Sequence, residues 1–209
     1  VDATLAGLAA AALLARSCDL SGASLTDSSL SGATLDDARL RDATLSGVDL
    51  RETTAENADL TAAELTDCTL TDATLATARL TDATVAETDC TGLTAPDAAA
   101  ARVDLSGLDL SGADLSGAAL ARADCSETEA PGVSLADADC SGVTLERATL
   151  SVADCSGARL VGTSFPETRL ENATFADATL TAATLAAATA PDADFRGATL
   201  DGTTLTEAT

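Results

Sequence analysis

Asp104-Leu105-Ser106-Gly107-Leu108-Asp109-Leu110-Ser111-Gly112-Ala113-Asp114-Leu115-Ser116-Gly117-Ala118 repeats one phrase three times, Asp-Leu-Ser-Gly followed by Leu or Ala. Working outward in both directions, the five-residue frame never breaks. Every residue whose number ends in 5 or 0, from Leu5 to Leu205, is Leu, Ala, Val, Cys or Phe. The slot two residues earlier holds Ala, Val, Leu, Thr, Cys and a single Ser, Ser28. The 34 acidic residues and 11 arginines all avoid these two slots. All 14 glycines fall two places after a central residue, and the four prolines (Pro96, Pro131, Pro166, Pro191) fall one place after. A glycine placed at random lands in a given slot of a five-slot frame about once in five, so the period is not accidental.

A period of five matches neither the face of an α-helix nor an alternating strand. It matches a chain that turns a corner every five residues. Each side then offers one large and one small inward side chain, Leu and Ala in most copies, with outward positions between them. Glycine belongs in the turn, where positive φ costs it little. Proline belongs one place earlier, where φ near −65° fits and the missing N–H does no harm.

Ala113-Asp114-Leu115-Ser116-Gly117, Ala58-Asp59-Leu60-Thr61-Ala62 and Ala193-Asp194-Phe195-Arg196-Gly197 are the best copies of a unit A(D/N)LXX, and through them nearly the whole chain resembles the pentapeptide-repeat proteins. The slot before the large residue is often Thr or Ser here instead of Asp or Asn. The resemblance implies an all-β fold: a right-handed, quadrilateral parallel β-helix with 20 residues per coil. It would have about ten coils over residues 1–209 as one solenoid domain. Within it, residues 1–16 are rich enough in Ala and Leu to predict a short N-terminal capping helix, with Asp2 or Thr4 as N-cap. Residues 17–90 and 104–209 read as regular coils. Residues 91–103 form the weakest repeat, because Ala95 and Ala100 underfill the centre. A thin or kinked coil is expected there, with a helical turn after Pro96. Phe165, Phe175 and Phe195 all occupy central slots, so the core should widen or repack in the last third.

The six cysteines all fall in inward slots: Cys90, Cys125, Cys140 and Cys155 are central, and Cys18 and Cys68 take the small position. With no CxxC spacing and no His, they read as buried free thiols, suited to a reducing cytoplasm. No basic segment precedes the first apolar run, so no signal peptide is read, and no apolar run reaches the length of a membrane span. The absence of His, Lys and Tyr removes Ser-His-Asp and Cys-His pairs, Schiff-base chemistry, the phosphate-loop lysine and the usual zinc sites. The chain reads as a non-enzyme without cofactor, metal site or catalytic residues.

The formal net charge is −23. Assigned to four sides by position within 20, the side centred on Leu20, Leu40, Leu60 and Leu80 carries six acids and six arginines, Arg39, Arg41, Arg79, Arg102, Arg122 and Arg159. The side centred on Leu65, Val85, Leu105 and Cys125 carries ten acids against Arg147 alone. Among these are Glu64, Asp67, Glu87, Asp104, Asp124, Glu127, Glu146 and Glu167. The other two sides are nearly as acidic. Duplex DNA carries one charge per ~1.7 Å, so a rod of roughly 50 Å with this charge approaches its density. Some pentapeptide-repeat proteins bind DNA gyrase and topoisomerase IV by DNA mimicry and so protect bacteria from quinolones. The resemblance implies such a protein partner for the acidic side, with no direct nucleic-acid or membrane binding. The alternative is a structural or interaction scaffold whose acidity reflects salt adaptation. Because the repeat frame runs through Asp201 to Thr209, a homodimer or end-to-end stacking is a further expectation.

Overall fold

The computed structural model describes residues 4–10 and 12–209. Within them the chain is an all-β parallel solenoid. Residues ending in 4 or 9 pair with the residue 20 positions on, from Thr4↔Ser24 to Thr184↔Thr204, so each turn of the tube has four sides. Every slot two places after a central residue has positive φ: 27 non-glycine residues join the 14 glycines. Outside the strands, no N–H of the slot one place after the centre enters the backbone ladder, which is why proline is tolerated there.

Each letter of the Asp-Leu-Ser-Gly phrase has a separate task. Asp104 Oδ1 accepts the Ser106 N–H at 3.0 Å and its hydroxyl at 2.7 Å, and Asp109 and Asp124 repeat this with Ser111 and Ser126. These side chains cap the amide that the turn leaves without a ladder partner. Leu105 fills the tube, and Gly107 turns the chain at φ 69°.

The strands are not spread evenly. β1 (Thr4–Ala6), β2 (Ser24–Thr26), β3 (Thr44–Ser46), β4 (Glu64–Thr66) and β5 (Thr84–Ala86) form one five-stranded parallel sheet on one side of the tube. At other corners, that of Thr128 excepted, the residue in the small slot donates back to the central carbonyl three residues earlier, as Ala113 does to Leu110 at 3.0 Å. The corners after β1 to β5 lack that bond and stay open. Their small slots hold Leu8, Ser28, Val48, Cys68 and Thr88, with no alanine. Two of the released amides are taken up by a hydroxyl of the next coil. Leu8 N–H donates to Ser28 Oγ at 3.1 Å and Cys68 N–H to Thr88 Oγ1 at 3.2 Å. A hydroxyl in this inner slot therefore replaces a turn bond. Thr88→Val, which keeps the shape and removes the acceptor, should cost about 1–3 kcal/mol in urea unfolding; Thr84→Val, on the outer face of β5, should change little.

Three expectations are corrected. The described residues of 5–16 form no helix. Thr4–Ala6 is a strand and the following residues bridge the next coil, with Ala10 N–H on Ser29 O at 2.9 Å and Ala15 N–H on Thr34 O at 2.8 Å. Pairing with a preformed coil outweighs the helix propensity of an Ala/Leu run. Asp2, one suggested N-cap, lies outside the described residues. The coil over 91–103 is neither kinked nor helical after Pro96: Thr94 and Ala99 keep the 20-residue register on both sides. The underfilling is real, however, and appears as a void of about 30 Å³ beside Ala95, Ala98 and Ala100. Finally, the continuous sheet makes four turns, not about ten. Beyond Ala86 the corner closes, extended strands end, and stacking continues as single bridges.

Inside, the large slot decides packing. Two further voids of about 20 Å³ lie beside Ala55 and Ala130, each an alanine in a central position. Where phenylalanine takes that slot the tube is filled: Phe165 and Phe175 are fully buried with ring centroids 6.2 Å apart, edge to face. Phe175 stacks on Phe195 at 4.8 Å. Five of the six cysteines are buried and none is in a disulfide; burial pushes the Cys125 thiol up to about 12.

The turn positions carry avoidable strain. Val152 sits at φ 61° with 64% of its surface exposed. A left-handed conformation costs an L-residue roughly 1–2 kcal/mol, and here no packing offsets it. Val152→Gly should raise stability by about 1 kcal/mol in thermal or urea unfolding.

Candidate functional site: the acidic side

The 20-residue register places the eight acidic residues singled out in the sequence on one side of the tube. Glu64, Asp104 and Asp124 share the column before the centre, and Asp104 and Asp124 are direct bridge partners. Asp67, Glu87, Glu127 and Glu167 occupy the left-handed turn column, at φ between 51° and 59°. Glu146 stands between the two. A carboxylate in the turn column is pushed outward by the corner itself, so none of this group folds back onto the core.

Their electrostatics divide the side in two. Arg147 lies 3.5 Å from Glu127 below it, 3.4 Å from Glu167 above it and 3.2 Å from the adjacent Glu146. One guanidinium thus holds three of the eight carboxylates. Glu64, Asp67, Glu87, Asp104 and Asp124 have no arginine within ion-pair distance among the described residues. Between these two groups, Ser106, Gly107, Asp124, Ser126 and Glu127 line an open polar recess of about 450 Å³.

A second carboxylate column was not singled out from the sequence. Asp89, Asp109 and Glu129 are consecutive bridge partners on the adjoining side. The Thr91 N–H, donated to Asp89 Oδ1, and the nearby Thr91 and Thr71 hydroxyls hold that carboxyl below its usual range. Positions 89, 109 and 129 differ by 20, so the coil period was the available signal. Like charges on neighbouring strands are destabilising, and a run of three is an arrangement that packing alone does not ask for.

The arrangement favours contact over catalysis. The carboxylates point out from convex walls, and the enclosed voids hold no more than about one water and are lined by apolar side chains. Among the described residues no three potential ligands converge on a point where a metal ion would sit. Among the described residues no helix is long and apolar enough to cross a membrane.

Comparison with known proteins agrees with this geometry. The family described as Pentapeptide repeats matches in eight copies over residues 18–54, 45–82, 101–135, 113–151, 153–189 and 178–209. No curated protein matches. Among solved structures, HetL, a pentapeptide repeat protein involved in heterocyst differentiation regulation in the cyanobacterium Nostoc sp. strain PCC 7120, is similar at 29% identity and a TM-score of 0.72. The alignment covers 92% of this chain and 87% of HetL. A pentapeptide repeat protein from the Arabidopsis thaliana thylakoid lumen is 29% identical, over 50% of this chain and 69% of its own, at a TM-score of 0.39. A trypsin-treated variant of QnrB1, a plasmid-mediated fluoroquinolone resistance protein, is 17% identical over 96% of this chain and 90% of its own, at 0.42. With the repeat matched over most of its length and the tube it builds in view, this chain belongs to the pentapeptide-repeat family.

Proposed function

We propose that the protein is a non-enzymatic rod that presents DNA-like charge to the basic groove of a protein partner, and that the partner is a type II topoisomerase such as DNA gyrase or topoisomerase IV. The observation that supports this most directly is the stacking of carboxylates in register, Asp104 on Asp124 and Asp89 on Asp109 on Glu129. Neighbouring strands are ~4.8 Å apart, so each column repeats negative charge every ~4.8 Å, against ~3.4 Å of axis per phosphate along one DNA strand. A groove lined with Lys and Arg attracts such a rod before any specific contact forms. The six thiols, none of them paired, suit a reducing cytoplasm, where such a partner resides.

The test is a supercoiling assay at low salt. The protein should inhibit gyrase, or protect it from a poison, at micromolar concentration. Reversal of Asp104, Asp124 and Glu127 to lysine should lower that potency about ten-fold or more. No effect of the unaltered protein on gyrase would end the topoisomerase reading.

The likeness to HetL favours a second, broader reading: an interaction rod in regulation, whose charge keeps it hydrated and whose partner is another protein. Salt separates the two. A salt-adapted rod should melt higher in molar KCl and leave gyrase unaffected, whereas a mimic from an ordinary cytoplasm need not gain stability from salt.

A further inference from the structure

The neutral side of the tube carries a charge sequence that is complementary to its own reverse. Bridge partners on that side run Asp59↔Arg79↔Ala99↔Ala119↔Asp139↔Arg159. Turn a second copy end for end and lay it against the first, with a two-fold axis between Ala99 and Ala119. Ala99 then meets Ala119, Arg79 meets Asp139 and Asp59 meets Arg159, each twice by symmetry. We propose that this side is a homodimer interface, with two antiparallel rods joined wall to wall and the acidic sides left outward.

Three observations carry this, and one, the third, opposes it. First, the ion pairs that these arginines make within their own chain are loose. Arg79 lies 4.0 Å from Asp59 and Arg159 lies 3.7 Å from Asp139, against 2.6 Å for Arg41–Asp59 and for Arg102–Asp82. Both guanidiniums are about 60% exposed and Asp139 is 45% exposed, so all three can turn to a second copy. Second, Ala99, Ala101, Ala119 and Ala121 at the axis bring no charge and little bulk, which lets the two walls approach. Third, Arg122 has no carboxylate within 4.0 Å on its own chain among the described residues, because Gly142 follows it in the next coil and Arg102 precedes it. The same axis sets it opposite Arg102 of the second copy, a like-charge contact that only that copy's Asp82, one coil away, offsets. Fourth, the other three sides are acidic, so like charge opposes their approach. This is the one wall through which two copies of a −23 chain can meet.

The matched stretch spans five coil steps of ~4.8 Å, about 24 Å, which is short of a standard interface of ~800 Å² per partner. The dimer is therefore weak and salt-sensitive. At physiological ionic strength the Debye length is ~8 Å, enough to screen the outward walls from each other while contacts across the interface persist.

Sedimentation equilibrium tests this. At 0.15 M salt, roughly physiological, the mass should rise with concentration from 20.6 kDa towards twice that value, and at ~1 M salt, where the Debye length is ~3 Å, it should fall back. Arg79→Asp alone puts Asp against Asp139, and Asp139→Arg alone puts Arg against Arg79. Each variant should associate at least ten-fold more weakly, while a one-to-one mixture, in which every contact is again Asp–Arg, should recover the dimer. Thermal melts check that each variant is folded. If either is not, Ala119→Gln, an uncharged wedge at the axis, must give monomer in its place. A wild-type mass fixed at the monomer value, a dimer indifferent to these substitutions, or a mixture no better than its components would each overturn the proposal. The outcome does not bear on the topoisomerase reading, since the acidic walls remain free in either state.

Discussion

Leu115→Asp is expected to unfold the coils on either side of residue 115 at room temperature. Leu115 is 7% exposed and borders two of the apolar voids, beside Ala95 and Ala130. The voids are lined by apolar side chains apart from Thr128, whose hydroxyl is already donated to Cys125 O at 2.9 Å. An ion buried there without a partner costs so much that the group takes up a proton instead, and even the neutral acid loses roughly 2–7 kcal/mol of hydration if it finds no hydrogen bond. Losing the leucine adds roughly 2–5 kcal/mol, the usual cost of truncating a buried aliphatic side chain. In a solenoid each coil is held only by its neighbours, so the break should be local. Limited proteolysis should cut between about residues 95 and 135 while flanking segments resist, and the circular dichroism signal should fall in part. Asp114→Ala, one residue away but pointing outward, removes only the acceptor of the Ser116 N–H at 3.0 Å and should cost about 0.5–1.5 kcal/mol. A Leu115→Asp protein as stable as Asp114→Ala would show that residues ending in 5 do not form the core.

Phe175→Ala should be the most damaging truncation in the last third of the chain, at about 3–5 kcal/mol in urea unfolding. The ring is fully buried, lies parallel to Phe195 at 4.8 Å and meets Phe165 edge on at 6.2 Å. Residues 175 and 195 differ by one coil and share a side, whereas 165 lies across the tube. One ring therefore ties two coils and two walls together. Its removal opens a hole in the best-filled part of the core, and flanking coils with their own ladder bonds cannot collapse far into it. Phe175→Leu keeps most of the volume and should cost about 1.5 kcal/mol or less. Equal losses for the two variants would mean that ring stacking, not volume, dominates.

These two sites also show what could be read in advance. The core status of Leu115 and Phe175 follows from the last digit of the residue number, because the corner interval is built into the chain and the inward slots exclude charge without exception. Glycine in the left-handed slot and proline before it were legible for the same reason. So was the gathering of Glu64, Asp104 and Asp124 on one side, which needs only a coil of 20. The N-terminal turn was misread because residues 5–16 satisfy two patterns at once, a helix by local propensity and a coil by frame. The choice is made by Ser29 and Thr34, a full coil away. The four-turn extent of the sheet was hidden because open and closed corners share one repeat.

The amino-acid order by itself determined the five-residue corner, the inward and outward assignment of nearly every side chain, and hence which walls carry charge. These properties depend on one residue's place in a periodic frame. Only the tertiary structure decided which corners stay open, where Ser28 and Thr88 take over a lost turn bond, and how Arg147 gathers Glu127, Glu146 and Glu167. It also showed that the pairs holding Arg79 and Arg159 are slack. Those outcomes depend on distances between atoms in successive coils, which the frame brings into register but does not set.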